Sequence, residues 1–477
     1  MLLPLSYRVF DSVVFCLNAT NRYCVQGNCN LFGKPRVEFK DLLDANLSVG
    51  VNEVERIVSI NNYELWSTDN PILYNVISEL IWNGKSHTVV ERTGFRNFEV
   101  KEDGFFYLNN KRIFLKSAHT GNNYPTASKH IAYDKEMIRK EFLMAKAVGF
   151  NMVRFIAGAA LPVQLDLCDE IGLMIYEEPL AGWGTKNGPH AKENFRHDIL
   201  SMIRRDRNHP CITIWGLLNE TTDNGENTDL YEAGREILPE LREIDETRLV
   251  IFSSGRWDGQ LKNGSLCNPY NNKWEFLWNG DGSADRKREV FVSPTNGLKC
   301  EGYDGTLELG DVHFYGRVPR PKQNIEFIRT LGSIYKRPVF LSETGIGSLL
   351  DTKTIIDRYE QDGIERKYPD VKRNYRVDYF FNAELKKYGF DRLYPLVSEL
   401  FYGSMINHAK YRAFDFSIIR SNPYINGVNL TGLSDHNGIG EGLFTVYRKY
   451  KPYIADVLKA GFAPLMWCII PEKTTVF

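Results

Sequence analysis

The chain has 477 residues, more than one hydrophobic core sustains, so two or three domains are expected. Lys and Arg total 59 against 60 Asp and Glu, which lacks the basic excess that nucleic acid or an anionic membrane would require. Hydrophobic residues at 43% and charged residues at 25% suit a globular chain, and no apolar run reaches the ~20 residues that span a bilayer.

The first residues, MLLPLSYRVFDSVVFCLNA, are apolar but lack a basic leader and are interrupted by Arg8 and Asp11. They read as strand material rather than a signal peptide, which leaves the compartment open: cytoplasm, or periplasm if the start is truncated. The eight cysteines are scattered. Cys16, Cys24 and Cys29 lack paired C-x-x-C spacing, and Cys168 and Cys211 fall in apolar segments where a buried thiol is ordinary. No metal and no cofactor is expected.

Residues 1–97 read as an all-β domain, incomplete at its start. Arg8–Leu17 and Ile72–Trp82 are apolar runs, NVISELIW alternates, and Asn83-Gly84 is a hairpin signal. At Phe98 the pattern changes. A hairpin turns on Asn109-Asn110, and strands and helices then alternate. Strands are predicted at Ile113–Ser117, Asn151–Ile156, Leu173–Tyr176, Cys211–Leu218, Leu249–Ser253, Asp311–Tyr315, Val339–Glu343 and Ile425–Leu430. Helices are predicted at Tyr133–Val148, Leu161–Ile171, Asn194–Arg207, Asp229–Ile244, Asn324–Tyr335, Leu396–Ile418 and Tyr453–Gly461. Eight strand repeats over roughly 350 residues argue for an α/β fold, a (β/α)8 TIM barrel spanning 98–477. A doubly wound sheet would want a glycine-rich phosphate turn after its first strand, where AHTGNNYP stands instead. Two stretches interrupt the rhythm, 256–309, polar and holding Trp257, Trp274 and Trp278, and the highly charged 349–393. Both follow strand ends and should rise over the barrel's C-terminal face.

The chemistry concentrates in Asn208–Glu220, NHPCITIWGLLNE. Its apolar run has the character of a strand buried on both faces, and it stops abruptly at Asn219-Glu220. Strand seven, VFLSETGIG, ends on Glu343. In a barrel both carboxylates point over one mouth, and without metal ligands nearby that pair suits glycoside hydrolysis. One protonates the leaving oxygen while the other attacks the anomeric carbon or activates water. A single strand-end Glu would more often be a salt-bridged carboxylate; two, with Asn219 adjacent, favour chemistry.

RRDRNHPCITIWGLLNE closely resembles the acid/base signature of glycoside hydrolase family 2, the β-galactosidase, β-glucuronidase and β-mannosidase group. FRNFEVKEDGFFYLNNKRIFLKSA, NMVRF and RPVFLSETG resemble that family's lead-in to the barrel, second strand and nucleophile strand, in the same order. The resemblance covers roughly residues 60–463 and implies an immunoglobulin-like sandwich ahead of the barrel. It also implies a retaining β-glycosidase, β-galactosidase-like, with Glu220 as acid/base, Glu343 as nucleophile and Asn219 on the sugar 2-hydroxyl. For a retaining mechanism the carboxyl groups should stand about 5–5.5 Å apart.

Further substrate-binding candidates are Arg154, which would also keep Glu343 ionised, His313 and Tyr315 in DVHFYG, Glu178 in YEEP, which either binds a sugar hydroxyl or only pairs with Arg154, and His119 at the end of strand one. Trp183, Trp257 and Asp435 lie on strand-end loops. Relatives of the family carry a jelly-roll domain before the sandwich; this chain begins too late to include one, as a truncated reading frame or a shortened variant would. The His-rich segment of metal-dependent β-galactosidases and the Asn-x-Lys feature of glucuronidases are not evident here, the latter around GIGEGLFTVYRKYKP. The expected partner is an oligosaccharide or glycoside, not nucleic acid or membrane, and a homo-oligomer is compatible. The alternative is an inactive, carbohydrate-binding remnant of such an enzyme; a metal-dependent barrel hydrolase fails for want of a His/Asp ligand set.

Overall fold

The computed structural model describes residues 6–11, 20–31, 34–46, 54–59, 63–82, 85–121, 134–182, 184–221, 228–255, 266–271, 291–292, 299–300, 311–333, 338–436 and 438–467. Trp183, Trp257, Trp274, Trp278, the Asn83-Gly84 turn and most of 256–309 lie outside these residues.

The front of the chain forms antiparallel sheets. Ser6–Asp11 pairs with Val54–Ser59, and a four-stranded sheet runs in the order Lys34–Asn46, Thr20–Leu31, Tyr74–Trp82, Lys85–Thr93. The expected hairpin around Asn109-Asn110 is present. Both asparagines adopt left-handed backbone, the conformation a short polar side chain tolerates best. This hairpin closes the lower end of the barrel, where Phe106 packs edge-on against Phe340, ring centroids 5.7 Å apart.

Eight parallel strands follow: β1 (Leu115–Thr120), β2 (Met152–Phe155), β3 (Met174–Glu177), β4 (Ile212–Asn219), β5 (Leu249–Ser254), β6 (Asp311–Phe314), β7 (Val339–Gly345) and β8 (Ile425–Thr431). Their ladder runs β5-β4-β3-β2-β1-β8-β7-β6, with the short strand Leu266–Cys267 antiparallel on the β5 edge. All eight residues of β4 are buried, as its unbroken apolar run requires when helices cover one face and the barrel interior the other. Between β5 and β6 the barrel is joined through side chains. Asp311 accepts from Ser254 Oγ (3.0 Å), Gly255 N (2.8 Å) and, from β7, Ser342 Oγ (2.7 Å).

The helices are α1 (Lys135–Ala147), α2 (Pro162–Ile171), α3 (Ala191–Asp206), α4 (Thr228–Ile244), α5 (Lys322–Thr330), α6 (Thr352–Gln361), α7 (Pro369–Lys387), α8 (Val397–Ser421) and α9 (Ile454–Gly461). Asp134 caps α1 by accepting from Glu136 N and Met137 N, and Gly172 ends α2 in the left-handed conformation. α6 and α7 occupy the charged stretch 349–393. β1 lies two residues later than the apolar pattern suggests, because Ile113 still belongs to the hairpin, its N–H donating to Phe106 O at 2.9 Å. Helix α5 stops at Thr330 rather than Tyr335, ending where Leu331 leaves helical geometry.

Arg96 fixes the front of the chain to the barrel floor, donating to Pro210 O (3.2 Å), Thr247 O (3.1 Å) and Ile212 O (2.6 Å). Arg96→Ala leaves three carbonyls short of a donor. It is expected to cost about 2–3 kcal/mol, read as a lower urea midpoint; an unchanged midpoint would show that water replaces the guanidinium.

Candidate active site

The strand ends place the predicted carboxylates on a common cavity of about 810 Å³. Its lining includes His119, Asn219, Glu220, Tyr315, Glu343, Asp435, His436, Glu441 and Arg448. One carboxylate oxygen of Glu220 and one of Glu343 lie within 4.8 Å of each other and of His313, a spacing that a metal ion could also bridge.

Two glycines make this arrangement sterically accessible. At Gly255 (φ +67°) an added Cβ would stand 2.1 Å from the His313 ring, and at Gly345 it would stand 2.2 Å from the Tyr315 ring. Only the missing side chains let these rings lie flat on the neighbouring strands. Glu220 itself holds φ +52°, a strained conformation for a residue with a Cβ, pinned by its N–H donating to Ser254 O at 2.7 Å.

Glu343 is held on two sides. Arg154 Nη1 donates to its Oε1 at 3.2 Å, and the Tyr315 hydroxyl donates to its Oε2. Arg154 is 0% exposed. It also donates to Glu178 Oε1 through Nε (2.9 Å) and Nη2 (2.6 Å), to Asn219 Oδ1 (2.9 Å) and to Ser342 O (2.9 Å), and its guanidinium lies 4.7 Å from the Tyr176 ring centre. Burial works against its charge, but the carboxylates of Glu178 and Glu343, with Tyr176, outweigh that and raise its pKa. Burial, then the Glu343 charge, pushes the Tyr315 phenol well above its usual value, so it remains a donor.

Glu220 Oε1 stands 2.6 Å from His313 Nδ1, and His313 Nε2 stands 3.1 Å from Ser254 Oγ, which donates to Asp311. Burial lowers the His313 pKa to about 4 against the pull of Glu343, so the imidazole is neutral near pH 7. A depressed pKa means the unfolded chain binds the extra proton between about 4 and 6.5. This contribution to stability is therefore complete above 6.5 and lost as pH falls towards 4. The groups facing the ring are Glu220, Glu343, Arg154, Asp311 and His119. His313→Gln should narrow the gap between urea midpoints at pH 7 and pH 4.5; an unaltered gap would mean the histidine does not titrate in that window.

Three of the candidate substrate contacts do not line the cavity. Glu178 is fully buried and both its oxygens are occupied, Oε1 by Arg154 and Oε2 by Ala157 N (2.9 Å), so it pairs with arginine instead of reaching sugar. Arg154 is buried beneath Asn219 and Glu343, and His313 is covered by Glu220 and Ser254; neither lines the cavity. Asn219, Tyr315, His119 and Asp435 do line it. Sequence reasoning missed Glu441, His436, Ser254 and Asp311. The acidic residue in GIGEGLF was a visible signal for the first; nothing in SSG or DVHFYG separates Ser254 or Asp311 from ordinary strand-end polar residues.

Fold and site together define a (β/α)8 barrel that carries a carboxylate pair over the C-terminal ends of its strands. Residues 98–277 match the model of "Glycosyl hydrolases family 2, TIM barrel domain", and residues 33–96 match that of "Glycosyl hydrolases family 2". The chain belongs to glycosyl hydrolase family 2, with the family's sandwich domain preceding the barrel. It is 34% identical over 311 residues to a putative β-glucuronidase of Formosa agariphila, covering 57% of this chain and 37% of that protein. It is 31% identical over 191 residues to a β-galactosidase of Thermoanaerobacter pseudethanolicus, covering 40% and 25% respectively. The chain thus spans well under half the length of these relatives. Among solved structures, the β-glucuronidase of Parabacteroides merdae superposes with a TM-score of 0.61 at 19% identity, covering 94% of this chain and 50% of that one. A putative β-galactosidase from Bacteroides fragilis gives 0.62 at 16%, covering 94% and 56%. At such identities these likenesses speak for the fold. Among the described residues, no helix is long and apolar enough to cross a membrane.

Proposed function

We propose that the chain is a retaining β-glycosidase, β-galactosidase-like, that releases terminal β-linked sugars by double displacement. The observation that carries this reading is the carboxylate pair over one cavity, one oxygen of Glu220 and one of Glu343 lying within 4.8 Å of each other, a spacing that suits the ~5–5.5 Å between the carboxyl groups of a retaining site. Glu343, fixed by Arg154 and Tyr315, attacks the anomeric carbon while Glu220 protonates the departing oxygen. Formation of the glycosyl ester removes the charge of Glu343, and Glu220 then takes a proton from the incoming water. Asn219, oriented by Arg154, offers its amide to the sugar 2-hydroxyl.

The Asp311–Ser254–His313 chain fits the acid role of Glu220. If the Ser254 hydroxyl donates to Asp311, His313 Nε2–H donates to Ser254, and Nδ1 is left to accept a proton at 2.6 Å from Glu220. That tautomer favours a protonated Glu220. A panel of aryl β-glycosides assayed from pH 4 to 8 tests the proposal: release of phenol from at least one is expected. No release from any would leave the alternative, a carbohydrate-binding barrel without turnover.

A further inference from the structure

Beyond the carboxylate pair, the ionisable groups lining the cavity are unequal in what they show a ligand. Arg448 is buried, its Nε donating to Glu141 Oε2 at 3.1 Å and its Nη1 to Val446 O at 2.6 Å. Asp435 is buried against Lys451, whose ammonium is shared among Asp435 Oδ1 (2.7 Å), Ser348 Oγ (2.8 Å) and Gly440 O (2.8 Å). Glu441 differs, with its side chain 25% exposed to the cavity. Its Oε1 stands 3.3 Å from His436 Nε2 and 3.6 Å from His119 Nε2. Burial opposes its ionisation, but the hydrogen bonds from His119 and His436 prevail and hold it well below the usual carboxylate range. Its backbone is fixed too, since its carbonyl accepts from Gly432 N (3.3 Å) and Gly347 packs so closely that a Cβ there would meet Glu441 Cα at 2.8 Å.

Resting on the glycosidase reading above, we infer that Glu441 is a charge gate for the sugar: the site takes a glycone with a neutral hydroxymethyl arm and rejects one whose arm ends in a carboxylate. A fixed anion on the wall repels a second anion brought beside it in a partly desolvated cavity. The two histidines, whose Nε2 atoms face Glu441, orient a hydrogen-bond acceptor suited to sugar hydroxyls. Among the described lining residues, the cations are engaged by other acceptors.

The experiment compares binding and turnover. Deoxygalactonojirimycin and its C6-carboxylate counterpart are titrated calorimetrically into the wild-type chain and into Glu441→Gln and Glu441→Lys, and aryl β-galactoside and aryl β-galacturonide are assayed alongside. The neutral probe should bind wild type at least about tenfold more tightly than the acid, as expected for like charges a few ångströms apart at an effective dielectric of ~20. That ratio should shrink in Glu441→Gln and shrink further or invert in Glu441→Lys. Equal or preferred binding of the acid by wild type overturns the gate, as does a ratio unmoved by both substitutions, even where a galactoside is turned over. Preferential binding of the neutral probe without turnover of either substrate keeps the gate and defeats the proposed hydrolysis. Binding of neither probe by wild type overturns both.

Discussion

Glu343→Ala should reduce turnover of an activated aryl β-glycoside by at least about a thousandfold, some 4 kcal/mol of transition-state stabilisation. The residue supplies the electron pair that forms the glycosyl ester, and alanine leaves no substitute at the anomeric carbon. The fold should survive, because Arg154 keeps Glu178 and the Ser342 carbonyl as partners. Removing the carboxylate also opens space on the face opposite the leaving group. Azide should enter there and restore phenol release, yielding the glycosyl azide of inverted, α configuration. Glu220→Ala should behave in the complementary way, with azide attacking the glycosyl ester and giving the β-azide. Rescue of Glu343→Ala as the β-azide would exchange the two roles, and absence of rescue in both would reassign the nucleophile.

The second large effect is expected at Arg154. One buried guanidinium holds Glu178, Asn219 and Glu343 in register across β2, β3, β4 and β7. Arg154→Met keeps the bulk and removes the charge, leaving the buried Glu178 carboxyl without its guanidinium partner. Breaking one side of a buried ion pair costs about 3–5 kcal/mol, so the urea midpoint should fall sharply. Because the carboxylate left behind causes much of that cost, Arg154→Met combined with Glu178→Gln should recover part of the stability. Activity should stay low in the double variant, since Asn219 and Oε1 of Glu343 still lack the Arg154 donor. If the double variant is no more stable than the single one, the loss comes from packing rather than from an orphaned charge.

The barrel was legible because its strands are buried on both faces. Runs such as CITIWGLL have no polar face to confuse the period, and glycines such as Gly172 mark helix ends. The two glutamates were legible for the same reason: each interrupts an apolar run at the point where a parallel strand leaves the barrel. What lay beyond reading was pairwise. Glu178 and Glu220 look alike in sequence, both strand-end acids, and only the position of Arg154 turns one into a buried counter-ion and leaves the other facing the cavity. His313 follows the same logic. Strand alternation turns it towards the mouth, but Gly255 lets the ring lie against β5, where it meets Ser254 and Glu220 rather than sugar. Glu441 needed the loop after β8 folded back under His119, a contact between residues more than three hundred positions apart. The hairpin and β1 show a smaller version of the problem, since an apolar pattern does not say which of two consecutive strands Ile113 joins.

Double displacement requires that Glu343 form a covalent bond to the sugar. The direct test is incubation with a 2-deoxy-2-fluoro aryl β-glycoside bearing a good leaving group, followed by mass spectrometry of the intact chain and of its peptides. The fluorine slows both steps while the leaving group preserves the first, so the ester should accumulate. A mass increase of one fluorosugar per chain is expected, located on the peptide containing Glu343 and absent in Glu343→Gln. An adduct on another residue, or hydrolysis of the unfluorinated glycoside to the α-anomer with no adduct formed, would contradict it.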